Sequence, residues 1–185
     1  RKESSAASDV YKRQELFRLR NLNMDLNNFT TIARAALTEA QNYALAHSNP
    51  SLTDLHLLSS LLKNDSISLP KLLNRSGVDL IKLGSSVSQS VENLPKLQSS
   101  STEVKLQVDQ TLVKILAKSE QWAKNRGDSF IASDALLLAI SEVNGPAGQL
   151  LKQHNLNVTS LKQEIETLRQ LSLIHISEPT RPLYI

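Results

Sequence analysis

Apolar residues recur every three or four positions through the middle of the chain, the rhythm of helices that bury one face. Phe29, Ile32, Ala33, Ala36, Leu37, Ala40, Tyr43 and Ala44 make one such series. Val104, Val108, Leu112, Ile115, Leu116, Ser119, Trp122 and Ala123 make a second. Neither stretch holds proline or glycine, so each predicts a long helix. Sustained alternation of β-branched or aromatic residues is lacking, so no strand is expected.

The two long helices are followed by the same punctuation. A shift of 79 residues places Tyr43 on Trp122, Asn49 on Asp128, Leu52 on Ile131 and Leu57-Leu58 on Leu136-Leu137. Thr53 or Asp54 in one half, and Ser133 in the other, can cap a short second helix by accepting its free amide hydrogens. After a one-residue slip, Leu72-Leu73 matches Leu150-Leu151, Gly77 matches Asn155, Asp79 matches Asn157, Leu83 matches Leu161 and Val87 matches Ile165. Gly77 and Asn155 are residue types that readily adopt the left-handed conformation ending a helix. Asp79 and Asn157 then suit the cap of the next one. Stop and start signals at matched positions mark an internal repeat, which a coincidence of leucines would not.

Each half reads as a long helix, two short ones and a final helix. Expected spans are 27–47, 53–63, 67–76 and 79–92, then 104–125, 133–142, 145–154 and 157–169. Residues 93–102, with proline and several serines, join repeat one (27–92) to repeat two (103–169) as a surface loop. The predicted fold is all-α: two tandem four-helix units about a pseudo-twofold axis. Each half alone is too small to cover its apolar faces.

Charge changes the picture at the ends. Residues 24–170 carry 14 basic and 14 acidic side chains, so the net +3 comes entirely from the flanks. Residues 1–14 and 171–185 follow no helical rhythm and resemble translated cloning or adaptor sequence, while 15–23 precede Met24 like a leader. Residues 1–23 and 171–185 are therefore expected to be non-native. A neutral, intermixed surface points to no nucleic acid and no anionic membrane. Cysteine is absent, which excludes disulfides and thiolate zinc and suits a reducing, cytoplasmic compartment.

The segments FTTIARAALTEAQNYALAHSN, SLTDLHLLSSLL, NRSGVDL and KNRGDSFIASDALLLAI resemble the Clp amino-terminal repeat, in two copies that span about residues 24–170. The Arg-Gly-Asp-x-Phe-Ile run points to the ClpB branch, that of disaggregase chaperones. The resemblance implies a mobile, non-catalytic module that engages unfolded or aggregated polypeptides at the entrance of a hexameric AAA+ machine. It further implies DnaK-type chaperones as partners of the whole machine. ATP and magnesium would belong to downstream modules, since no G-x-x-x-x-G-K-[ST] loop occurs in this chain and no cofactor is expected in it.

By the same resemblance, Thr30, Asp128 and Asp134 help to hold substrate, with Trp122 and Ala135 as a neighbouring apolar floor. Structural roles compete with that reading. Thr30 fits a first turn, and Asp128 and Asp134 fit a turn and the positive end of a helix. Trp122 matches Tyr43, which argues for core or repeat-interface packing. The two aspartates straddle a helix start and need not face one another. His47, His56 and His154 fall on different helices, His175 lies in the doubtful tail, and no H-E-x-x-H pair offers a metal site. His56 is expected to pack near the start of a buried helix. No G-x-S-x-G elbow is present, so a stand-alone hydrolase is the weakest reading. An adaptor-docking domain of a ClpA- or ClpC-type unfoldase is the stronger alternative.

Overall fold

The structure, a computed structural model, describes residues 26–63, 69–97 and 106–177. Residues 1–23 and 178–185, expected to be foreign, lie outside the described residues, as do Val104 and positions 98–102 of the expected linker. Repeat one contains α1 (Thr31–Ala46), α2 (Asp54–Lys63), α3 (Leu69–Arg75) and α4 (Leu80–Glu92). Repeat two contains α5 (Gln110–Arg126), α6 (Ser133–Glu142), α7 (Pro146–Gln153) and α8 (Val158–Ser177). The backbone of α8 thus continues into the segment expected to be foreign, past the expected end at 169.

The packing obeys the pseudo-twofold. Helix α1 lies on α2 as α5 lies on α6, α3 packs against α8 as α7 packs against α4, and α2 meets α6. These two helices form the centre: every residue from Asp54 to Leu61, and from Ala135 to Ser141, is buried. Each enclosed leucine contributes on the order of 2 kcal/mol relative to exposure. The turn signals behave as read. Gly77 and Asn155 take positive φ, at 90° and 63°. Asp79 accepts from the amides of Ile81 and Lys82, and Asn157 from those of Thr159 and Ser160.

The starts of the long helices differ from expectation. Phe29 and Val108 are not on helices, although both belong to the apolar series that predicted them. Two-residue strands β1 (Ser51–Leu52) and β2 (Gln107–Val108) pair in parallel, and Phe29 forms a parallel bridge with Ile131. The expectation of no strand is therefore corrected, within an architecture that remains all-helical. Phe29 and Leu52 shifted by 79 are Val108 and Ile131, so the two pairings are one contact made twice across the pseudo-twofold. Ser133 likewise is no cap. Ala132 holds that position without a side-chain bond, and α6 begins at Ser133 itself.

Buried polar groups hold the centre, and one of them joins the halves. Asp54, 1% exposed, reaches from α2 to accept the Ala147 amide in the first turn of α7, at 2.9 Å. Burial raises its carboxyl above the usual range, outweighing that hydrogen bond. A Cβ on Gly145 would sit 2.6 Å from Asp54 Oδ2 and 2.4 Å from Thr111 Cγ2, so this helix start accepts only glycine without movement. His56 is fully buried near the start of α2, as expected. Its Nδ1 accepts from the Thr53 amide at 3.1 Å and lies 2.9 Å from the Thr53 hydroxyl. Nε2–H must then donate to Asn49 Oδ1, and Asn49 Nδ2 donates to the Pro95 carbonyl. Burial first, and the charge of His47 second, push His56 down to about 4.

Two outcomes are expected. Gly145→Ala should lower unfolding stability by about 1–3 kcal/mol in denaturant titrations, since Asp54 cannot retreat without releasing Ala147. His56 protonates near 6.5 in the unfolded chain but near 4 in the fold, so its contribution to stability is complete above 6.5 and is lost as pH falls to 4. Between those limits the parent should lose up to about 3 kcal/mol more than His56→Gln, a difference in which the opposing effect of Asp54 is common to both chains.

Candidate functional site

The loop between α5 and α6 and the start of α1 form one junction. Gly127 ends α5 at φ 74°, and the amide of Asp128 returns to the Ala123 carbonyl at 2.9 Å, which fixes where the Asp128 side chain emerges. Three residues on, Ile131 is buried and accepts the Thr30 amide at 2.9 Å, while its own amide donates to Asn28 at 2.7 Å. Thr30 is thereby held against this loop. Its hydroxyl oxygen accepts from the Ala33 amide at 3.2 Å, so it is the N-cap of α1. Asp134, second in α6, accepts the amide of Ala135 at 2.8 Å, placing negative charge in a first turn whose N-cap side chain makes no bond.

Asp128 and Asp134 do face one another, across a residue that no motif picked out. Arg169 on α8 donates from Nη1 to both oxygens of Asp128, at 2.9 and 2.8 Å, and from Nε to Asp134 Oδ2 at 2.9 Å. Burial pulls the guanidinium down, but the hydrogen bonds and charges of Asp134 and Asp128 outweigh it and hold it above its usual range. A second arginine backs the pair: Arg126 Nη2 meets Glu166 at 3.0 Å, while its Nη1 stays 3.7 Å from Asp134, beyond hydrogen-bond reach. Three carboxylates thus surround two guanidiniums, an excess of one negative charge.

The two residues expected to form an apolar floor, Trp122 and Ala135, are packed against the core. Ala135 is buried, at 1% exposure, and offers no surface. Trp122 is half-buried with Nε1 donating to Glu142 at 3.0 Å, and Arg126 and Lys162 lie over its ring at 5.2 and 4.9 Å. Burial pushes Glu142 up, yet Lys162, Trp122 and Lys118 together bring it below its usual range. Tyr43, the equivalent of Trp122, carries Lys63 over its ring at 4.1 Å. The matched aromatics are repeat-packing residues shielded by cations. The exposed apolar groups at the junction are instead Phe130 and Ile32, 54% and 41% exposed, which flank the Phe29–Ile131 bridge. Their repeat equivalents are Ser51 and Thr111, and that apolar-for-polar exchange was a signal available in the sequence.

A cleft of about 230 Å³ opens away from this junction, between α2, α3 and α4, lined by Leu62, Lys63, Pro70, Leu80, Gly84 and Val87. Among the described residues no three His, Cys, Asp or Glu side chains converge to hold a metal. Nor is any of their helices long and apolar enough to cross a membrane.

Residues 28–154 match the family described as the Clp repeat (R) N-terminal domain. The chain belongs to that family. The resemblance read from the repeat, and the all-helical architecture it implied, are thereby established. The ClpB chaperone of Pseudomonas putida is 30% identical over 146 residues, which cover 79% of this chain and 17% of that protein. The chain therefore spans about a sixth of the length of such relatives. The N-terminal domain of Hsp104 from Candida albicans shares the fold, with a TM-score of 0.67 at 22% identity over 77% of this chain and 91% of that one. So does a ClpV N-domain solved in complex with a VipB peptide, with a TM-score of 0.59 at 18% identity over 76% of this chain and 86% of that one.

Proposed function

We propose that this chain is the substrate-binding N-terminal domain of a ClpB-type protein disaggregase, without chemistry of its own. It engages unfolded or aggregated polypeptide in the cytoplasm. It hands that polypeptide to AAA+ modules of the same protein, where ATP and magnesium bind, in a hexamer that works with DnaK-type chaperones. The observation that carries this reading is the junction itself, where Thr30, Asp128 and Asp134 stand beside exposed Phe130 and Ile32. An unfolded chain offers apolar side chains together with unpaired amide hydrogens, and such a mixed surface can take both. The likeness to ClpB N-terminal regions supports the same assignment. The likeness to the N-terminal domain of the caseinolytic protease associated chaperone ClpD from Arabidopsis thaliana supports a second reading, adaptor docking as in a ClpA- or ClpC-type unfoldase.

The Asp128→Ala, Asp134→Ala double variant should bind reduced and alkylated lysozyme roughly ten-fold more weakly than the parent in fluorescence anisotropy, about the effect of losing one charge-assisted contact. Circular dichroism should show the helices retained. Unchanged affinity in a folded double variant would remove the site assignment and leave the fold intact.

A further inference from the structure

The pseudo-twofold puts two loops in register, one joining α1 to α2 and the other joining α5 to α6. Ser48 and Gly127 are equivalent under the shift of 79, and both are left-handed, with φ of 56° and 74°. The next residues are Asn49 and Asp128. The first loop is already occupied by the protein itself. The chain leaving α4 lies along it, with the Leu97 amide donating to the Ser48 carbonyl at 2.8 Å and Asn49 Nδ2 donating to the Pro95 carbonyl at 2.9 Å.

Among the described residues the second loop has no such occupant. Past the point equivalent to the end of α4, the chain continues as helix α8 as far as Ser177. Among the described residues no donor reaches the Gly127 carbonyl, and Gly127 is exposed. Asn49 is buried at 1%, whereas Asp128 keeps 24% of its side chain in solvent. The side chain that does arrive is Arg169, itself 31% exposed.

We infer that the α5–α6 loop is a docking slot for an extended polypeptide segment bearing an arginine, and that Arg169 fills its cationic subsite while the slot is empty. This rests on the reading of the junction as a polypeptide-binding site. The amide of Asn49 can donate, and so it takes a backbone carbonyl. The carboxylate of Asp128 only accepts, so the visiting segment must bring donors. A backbone amide suits the Gly127 carbonyl, by the precedent of Leu97 on Ser48. The forked guanidinium suits Asp128 and Asp134, by the precedent of Arg169. Phe130 beside the slot receives an apolar neighbour of the visiting arginine. Arg169 can give way because 31% of its side chain already lies in solvent. The internal pair therefore acts as a competitor that a matched segment displaces.

The test uses the intact chain and two fluorescein-labelled, unstructured peptides. One carries a central arginine flanked by leucines, and its twin carries citrulline there. In anisotropy titrations the parent should bind the arginine peptide roughly ten-fold more tightly than its twin, the effect of one charged hydrogen-bonded group. Arg169→Gln should bind the arginine peptide more tightly than the parent does, and Asp128→Asn should lose the discrimination. Equal affinity for the twins, on a parent that still binds both, would overturn the slot while leaving polypeptide binding in place. An arginine preference that survives Asp128→Asn would overturn its location, and weaker binding by Arg169→Gln would overturn the competitor role. Failure of the parent to bind either peptide or alkylated lysozyme would instead overturn both this inference and the functional reading beneath it.

Discussion

Two crossed backbone pairings hold this molecule in its shape. Phe29 beside Ile131, and Leu52 beside Val108, are the same contact made in both directions between the halves. Each uses the extended residues just before a long helix in one repeat and just before a central helix in the other. Because backbone groups near a core must find partners, these few hydrogen bonds determine where α1 and α5 begin. They also bring the outer helices of each repeat over the centre of the other, α3 against α8 and α7 against α4. Neither half could close its own apolar faces in this arrangement. The repeat is consequently a device for folding as well as a trace of duplication.

The same constraint creates the candidate site. By tying the start of α1 to the loop between α5 and α6, the Phe29–Ile131 pairing places Thr30 beside the aspartates of that loop. Its twin pairing ties β2 to the other loop, but there the sequence spends its polar groups internally. Asn49, His56 and Thr53 form a closed, buried hydrogen-bond chain ending on Pro95. One loop is thus stabilised and sealed, and the other keeps charged and apolar groups in solvent. Two equivalent positions under one symmetry have diverged into a structural role and an accessible one.

Polar burial is tolerated where partners are exact in kind. His56 is held neutral by burial and by the charge of His47, and both its ring nitrogens have partners suited to that neutral form. Asp54 spends one oxygen on the Ala147 amide and leaves the other without a partner, which accords with a carboxyl raised above its usual range. Gly145 gives it the room. The Asp54–Ala147 contact runs between repeats and ties the start of α2 to the start of α7.

The amino-acid sequence by itself determined what depends on short windows. Periodic leucines and alanines marked the helices, Gly77 and Asn155 their ends, Asp79 and Asn157 their beginnings, and the offset of 79 residues exposed the duplication. Each of these signals acts through a residue's own backbone or its neighbours within a turn or two, so pattern alone conveys it. It also supplied the aspartates and threonine of the site, through resemblance, but not their relation. Arg169 is 41 residues from Asp128, and Asp54 is 93 from Ala147. Phe29 and Val108 obeyed a helical rhythm and were extended nonetheless, because a partner strand from the other half claimed their backbone. Which groups meet across such distances depends on how two buried surfaces close on each other, and only the tertiary structure decides that.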